Sequence, residues 1–235
     1  MGALIDTASA ILTEAQRRVE VSGQNIANIT TPGYKARVSF VKALSEQRAR
    51  SPLSEVGINF AQGKIVGTNN PYDLAISGEG FFTVKTDRGV FYTRQGQFQL
   101  DADGRLVTAR GFPVQAQGGG DIVLKGRDKG AAVQVASDGT VTENGDPVAK
   151  LGIVDVGDRK AMGYGDDGMF TAPEGLVHDV AAPVVRQGML ETSNVSAGDQ
   201  MVSIMEAVRR AEAGQKLVNV YDDLLGRALS VFGQV

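Results

Sequence analysis

The sequence predicts a mainly β protein with long terminal α-helices: an antiparallel β-rich central domain, sandwich or barrel-like, and a helical domain formed by the N- and C-terminal helices. Three observations carry this. Apolar residues recur at spacings of three and four over both ends of the chain. Between the ends the period drops to two, in short runs of β-formers. Those runs are separated by Asp-Gly, Asn-Gly and Gly-Gly pairs, and the 30 glycines sit mostly between residues 57 and 198.

The first helix is read over residues 3–29, which contain no proline and one glycine, Gly23. Apolar or small residues fall at Leu4, Ala8, Ile11, Ala15, Val19, Ser22, Ile26 and Ile29. They form one narrow stripe on a helix about 40 Å long, at about 1.5 Å per residue. Thr30-Thr31-Pro32-Gly33 ends it, because proline disfavours helix at the residue before it and glycine permits the reversal.

The other end mirrors this. Ser196-Ala197-Gly198-Asp199 reads as a capping box. From there Met201, Ile204, Val208, Ala211, Val218, Leu225, Leu229 and Phe232 keep a near-heptad rhythm, with Gln215 and Asp222 as polar guests. A period near 3.5 keeps one seam in register as two helices wrap, as in a coiled coil. Gly214 and Gly226 each cost about 1 kcal/mol relative to alanine, so this helix is weak alone and needs a partner.

In the middle, the strand candidates are Phe81–Val84, Val90–Tyr92, Phe98–Leu100, Leu106–Thr108, Val114–Gln115, Ile122–Leu124, Val133–Val135 and Leu151–Val156. Asp103-Gly104, Arg110-Gly111, Gly118-Gly119-Gly120, Asp138-Gly139 and Asn144-Gly145 turn the chain between them. The expected division is therefore terminal helices at 1–30 and 196–235, an extended connector at 31–70, and a β-rich domain at 71–195. A β domain closed by its own strands has no evident use for two apolar stripes. They face each other, or the same stripes on neighbouring copies; the plainer alternative packs both on the sheet of a monomer.

Composition excludes several classes of function. Net charge is −3, without the basic face that nucleic-acid binding requires. The absence of cysteine removes disulfides and thiolate metal sites. No apolar run approaches the ~20 residues of a membrane span, so no membrane insertion is expected. Asp6, Glu14, Arg17, Arg18 and Glu20 interrupt any signal-peptide core, and Asp6 stands where myristoylation needs Ser or Thr.

No residue pattern requires a cofactor. His178, the single histidine, has no Gly-x-Ser-x-Gly elbow to serve and reads as a loop residue. Gly78-Glu79-Gly80 is followed by Phe81-Phe82, a turn into a strand, whereas a phosphate cradle needs a helix there. Asp101-Ala102-Asp103-Gly104 begins like a calcium loop, but its glycine is fourth and Phe112 holds the twelfth position, so a hairpin turn explains it better. Gly165-Asp166-Asp167-Gly168 reads as a solvated acidic loop, and Arg209-Arg210 as a solvated helix face. No metal cluster, carboxylate pair or activated nucleophile survives, and an enzyme is not expected.

Four strings are more specific than these patterns. They are Asn25-Ile26-Ala27-Asn28-Ile29-Thr30-Thr31-Pro32-Gly33-Tyr34-Lys35, then Asp73-Leu74-Ala75-Ile76-Ser77-Gly78-Glu79-Gly80-Phe81-Phe82. The third is Tyr92-Thr93-Arg94-Gln95-Gly96 with Phe98 and Leu100–Thr108, and the fourth Gln187-Gly188-Met189-Leu190-Glu191-Thr192-Ser193-Asn194-Val195. In this order they resemble the hallmarks of the bacterial flagellar rod and hook family.

The resemblance implies an axial protein of the basal body, with terminal helices in an inner tube and a β-rich domain outside. It implies partners that are copies of itself, other rod subunits and ring proteins around the rod. It also implies export through the flagellar apparatus without a cleaved signal, and a periplasm-spanning location. Length favours a proximal rod subunit over the longer distal one. One departure stands out: the family usually has an aromatic after Arg210-Ala211, where this chain goes directly to Glu212. Against these implications stands a reading of another class, a secreted β-domain binding module or adhesin whose helices make a small oligomer.

Overall fold

The computed structural model describes residues 2–42, 53–124, 132–165 and 168–232. Helix α1 spans Gly2–Ala27 and helix α2 spans Ala197–Phe232, with an antiparallel β region between them. The chain divides into two compact units. One comprises 1–28, 36–59 and 195–235; the other comprises 29–35 and 60–194.

In the first unit α1 and α2 lie along each other. Asn25 meets Gln200, Ser22 meets Ser203, and Ile11 and Leu12 meet Gly214, so the helices run antiparallel. Their shared seam is built from small residues seven apart: Ala8, Ala15 and Ser22 on α1, Ala207 and Gly214 on α2, all buried. Small side chains let two helix backbones approach closely. At Gly214 a single added methyl would lie 3.2 Å from Ile11 Cγ2 and 3.3 Å from the Leu12 side chain. That contact, and not weak helix propensity alone, is what the glycine position means.

Ser196 Oγ accepts from the Asp199 amide at 3.4 Å, starting α2 where the capping pattern put it. At the same end of the pair Asn25 is buried with its amide hydrogen-bonded through both nitrogen and oxygen. It donates to the Arg37 carbonyl at 2.8 Å and to Gln200 Oε1 at 3.0 Å, and accepts from the Arg37 amide at 2.8 Å. Arg37 opens a hairpin in which Arg37–Lys42 pairs antiparallel with Leu53–Ile58.

The second unit is built on a six-stranded, curled antiparallel sheet. Its order is Gly163–Tyr164, Met169–Thr171, Gly89–Thr93, Phe81–Thr86, Ile153–Val156 and Val177–Asp179. Shorter ladders surround it. Thr140–Glu143 pairs with both Val133–Val135 and Asp146–Lys150, Phe98–Leu100 with Leu106–Thr108, Leu74–Ile76 with Val185–Gln187, and Ile65–Gly67 with Met189–Glu191.

Alternation at the head of the central strand divides two clusters. Phe82 faces an aliphatic core with Leu74, Ile76, Val114, Ile122, Leu151 and Ile153. Phe81 faces an aromatic group, with ring centroids 5.7 Å from both Phe60 and Phe170. Edge-on aromatic contacts of this kind add about 0.5–1.5 kcal/mol beyond burial.

Turn chemistry explains most of the connections. Asn144-Gly145 takes positive φ at both residues, 52° and 94°, as a two-residue hairpin of that twist requires. The suspected calcium start is a turn: Asp101 accepts from the Asp103 amide at 2.8 Å and from the Arg105 amide at 2.9 Å. Three strand expectations differ in detail. Val114–Gln115 and Ile122–Leu124 make isolated bridges instead of full strands, and Leu151–Val156 begins at Ile153, with Leu151 in an isolated bridge to Ala116 and the Gly152 amide bonded to the Gln115 carbonyl at 2.9 Å. His178 sits on the edge strand Val177–Asp179, opposite Asp155. The tip of the Gly165–Gly168 loop, Asp166 and Asp167, lies outside the described residues.

Candidate assembly site and buried ion cluster

The residues expected on the helical seams fall into three groups. Ala8 and Ala15 are buried within the helix pair itself. Ile11, Ile26, Ile204, Ala211, Val218 and Leu225 are half-buried. Met201 and Val208 are exposed, while the side chains of Leu4, Leu229 and Phe232 lie outside the described residues.

The exposed pair belongs to a longer apolar run on α2 that the heptad reading missed: Val202, Met205, Leu217, Val220 and Leu224. Met201 is 59% exposed and Leu224 56%. Between the helices runs a groove of about 570 Å³, lined by Leu12, Ala15, Val19, Ala207, Val208 and Ala211. The signal for this second face was available, because α2 is too apolar around its circumference for one seam to use it all.

The family-motif residues lie mostly in the β unit, where they do structural work. Asn28 caps α1 through Nδ2 to the Gln24 carbonyl at 2.8 Å. Thr31 and Pro32 lead into Gly33, whose φ is +69° and whose position leaves no room for a side chain against the Arg94 carbonyl. Tyr34 is buried, edge-on to Tyr164. Asp73 accepts from Asn70 Nδ2 at 3.0 Å, and its carbonyl accepts from the Gly188 amide at 2.8 Å.

Leu74 and Phe82 are core, Phe81 heads the aromatic group, and Gly78 and Gly80 take φ of +100° and +114° in the turn before them. Gln187 donates to the carbonyls of Pro71 and Val133 and accepts from the Val135 amide. Asn194 donates to the Ala61 carbonyl at 2.8 Å, and Ser193 beside it is half-buried. Val195 starts the run into α2.

The residues that sequence reasoning did not single out are the charged members of the same strings. Glu191 is wholly buried and central. Its Oε1 accepts from Lys35 Nζ at 2.6 Å and from the Gly63 amide at 2.8 Å, and its Oε2 accepts from Arg94 Nη1 at 3.3 Å. Lys35, 1% exposed, also donates to the Ala61 carbonyl at 2.9 Å. Arg94, 5% exposed, also donates to the carbonyls of Ile76 and Gly78, with its guanidinium 5.4 Å from the Phe81 ring centroid.

Two cations thus share one carboxylate, and three carbonyl dipoles carry the excess charge. Burial holds the Lys35 ammonium below its ordinary range although Glu191 pulls the other way, and burial likewise lowers Arg94. Each of the four strings supplies a member: Lys35 from the first, Ile76 and Gly78 from the second, Arg94 from the third, Glu191 from the fourth. A charge inside an apolar string was the visible signal. Its partner was not, because Lys35 and Glu191 are 156 positions apart.

Among the described residues no group of His, Cys, Asp and Glu is placed to hold a metal. No described helix is long and apolar enough to cross a membrane. A helix pair whose inner seam is closed and whose outer face is left apolar, on a chain with a separately closed β unit, has the architecture of a structural subunit.

Comparison with known proteins gives the family. Residues 5–35 match the flagella basal body rod protein family, 75–143 the flagellar hook protein FlgE/F/G D1 domain, and 186–231 the flagellar basal body rod FlgEFG protein C-terminal region. The chain is 32% identical over 235 residues to the flagellar basal-body rod protein FlgF of Caulobacter vibrioides, covering 94% of each. It is 33% identical to FlgF of Escherichia coli, covering 95% of this chain and 96% of that one. It is also 28% identical to the rod protein FlgG of Bacillus subtilis, covering 89% and 91%. The chain belongs to the flagellar basal-body rod protein family.

Proposed function

We propose that this rod subunit polymerises with copies of itself and with other axial chains through the uncovered apolar face of its helix pair, in the proximal part of the drive shaft that transmits torque towards the hook. The observation that supports this most is the run Met201, Val202, Met205, Val208, Val220 and Leu224, exposed on a helix whose opposite face is already packed. Exposed large apolar side chains gathered on one helix in this way favour association. When one surface binds a different surface on the next copy and the rotation does not close, the product is an open helical array. The α1 side of the groove, Leu12, Ala15 and Val19, is the natural second surface.

Relatives named FlgF match at 30–33% identity and those named FlgG at 26–28%, which favours a subunit of the FlgF kind. Ring proteins around the rod, passage through the export apparatus without a cleaved signal, and a periplasm-spanning position belong to the same reading. So does a purely structural role, without catalysis or cofactor.

The test is the variant Met205→Ser with Leu224→Ser. The isolated chain should keep its stability to within about 0.5 kcal/mol, as exposed positions do. Basal bodies purified from cells carrying it should lack the rod segment above the point of insertion, and the cells should not swim. Complete rods and normal swimming would overturn the reading.

A further inference from the structure

Buried charge sets an order on the closure of the β unit. Its hairpins are local: Phe81–Thr86 with Gly89–Thr93, Phe98–Leu100 with Leu106–Thr108, and Thr140–Glu143 with Asp146–Lys150 are each joined by a short turn. Local pairings form early because little loop entropy opposes them. The pairings around Glu191 are the opposite case. Ile65–Gly67 has Met189–Glu191 as its ladder partner, and the Thr192 amide donates to the Lys64 carbonyl. The Gly33 amide donates to the Glu191 carbonyl, and Lys35 meets the Glu191 carboxylate across 156 positions.

Without that carboxylate, Lys35 and Arg94 would have to enter a dry interior with backbone carbonyls as their direct hydrogen-bond partners and only the more distant Asp155 and Glu79 opposing the Arg94 charge. An unpaired buried charge is strongly disfavoured against the same charge in water. Lys35 therefore stays solvated until Glu191 is present, and the segment 29–35 stays undocked with it.

We infer that Glu191 is a completion latch: the β unit closes around it last, so residues 29–35 and 60–64 dock only when nearly the whole chain has been delivered. Those segments follow α1 and the Leu53–Ile58 strand in the chain, and five residues separate Glu191 from α2. A chain made or passed N-terminus first cannot fix the root of its first helix before the start of its last one arrives. Premature docking of an incomplete chain is prevented by one carboxylate. This inference concerns the isolated chain and does not rest on the assembly reading.

The experiment is refolding of the full chain from guanidinium with pulsed hydrogen exchange, read amide by amide. The reporters are the amides of Gly33, Gly63 and Thr192, which bond Glu191 or its strand. Hairpin amides of Phe81–Thr86 should protect first. The three reporters should protect together and on the order of tenfold later, as long-range closure does. Glu191→Gln keeps the side-chain shape and removes the charge; it should leave the hairpin phase unchanged and slow the reporters by about a further tenfold. Reporters that protect in one phase with the hairpins overturn the latch, and so does a reporter rate indifferent to Glu191→Gln. The wild-type order decides even if that variant fails to refold. Because every reading is taken on unassembled chain, a failure here is separate from a failure to build rods.

Discussion

The two units of this chain handle the same problem in opposite ways. The β unit buries charge: Lys35, Arg94 and Glu191 lie beneath its surface with their hydrogen bonds largely made within the chain. The helix pair exposes apolar surface: its inner seam is closed with alanine, serine and glycine, while methionine, valine and leucine face outward. Buried charge and exposed large apolar runs are the two informative departures from an ordinary soluble protein. Their separation teaches where each unit is finished. The β unit meets most of its buried charge from within, Arg94 Nε being one exception. The helix pair leaves large apolar side chains uncovered.

The largest effects should come from breaking the self-sufficiency of the β unit. Glu191→Ala removes the one carboxylate that both buried cations bond and should cost about 3–5 kcal/mol in urea unfolding. Lys35→Met leaves Glu191 paired with Arg94 alone, a neutral remainder, and should cost less by at least about 1 kcal/mol. Equal losses for the two variants would show that the cluster is held by shape and not by charge balance. Phe82→Ala, in the aliphatic core, should lie in the same high range of about 3–5 kcal/mol, with no such dependence on charge.

Most of the fold was legible because local rules decide it. The helix at 3–29 shows in its three-four spacing, the α2 start in Ser196 and Asp199, and the hairpin at Thr140–Lys150 turns on Asn144-Gly145. Strand length did not decide legibility: Phe98–Leu100, Leu106–Thr108 and Val133–Val135 have three residues each and pair across short turns, whereas Leu74–Ile76, Val185–Gln187 and Met189–Glu191, equally short, have no partner across a turn. Their pairings span more than a hundred residues, and nothing in Leu190-Glu191-Thr192 names Lys35 or Ile65. Along the helix pair, Gly214 read as a weak helix position and Ala207 was not singled out, yet both lie where the helices touch. Large apolar residues drew attention to a face that the chain itself leaves open.

Gly214 sharpens the comparison at intermediate size. On an open helix face Gly→Ala gains about 1 kcal/mol. Here the new methyl meets Ile11 and Leu12 at 3.2–3.3 Å, so the gain should be cancelled in native-state exchange of the helix amides. Gly214→Val should go further and destabilise the pair by about 1–3 kcal/mol through overpacking. Gly226 has nothing within reach of an added methyl, so Gly226→Ala should show the ordinary stabilisation and serves as the internal control. If both glycines respond alike, the small-residue seam is not what brings the helices together.

The smallest effect belongs to carboxylates on the surface of the β unit, far simpler in their surroundings than Glu191. The Arg105 amide, aided by the Arg105 side chain and the Asp103 amide, holds Asp101 below its ordinary value of 3.8. The Thr140 amide and hydroxyl do the same for Asp138. A carboxyl whose folded pKa is depressed binds fewer protons folded than unfolded within the window between the two values. Stability therefore rises with pH across that window, is fully present above 3.8, and is lost as pH falls through the depressed folded value. Asp101→Asn with Asp138→Asn should flatten this acid limb in pH-dependent urea unfolding while leaving the neutral plateau little changed. An unaltered acid limb would assign the pH dependence to other carboxylates and leave these two turns held by their backbone geometry alone.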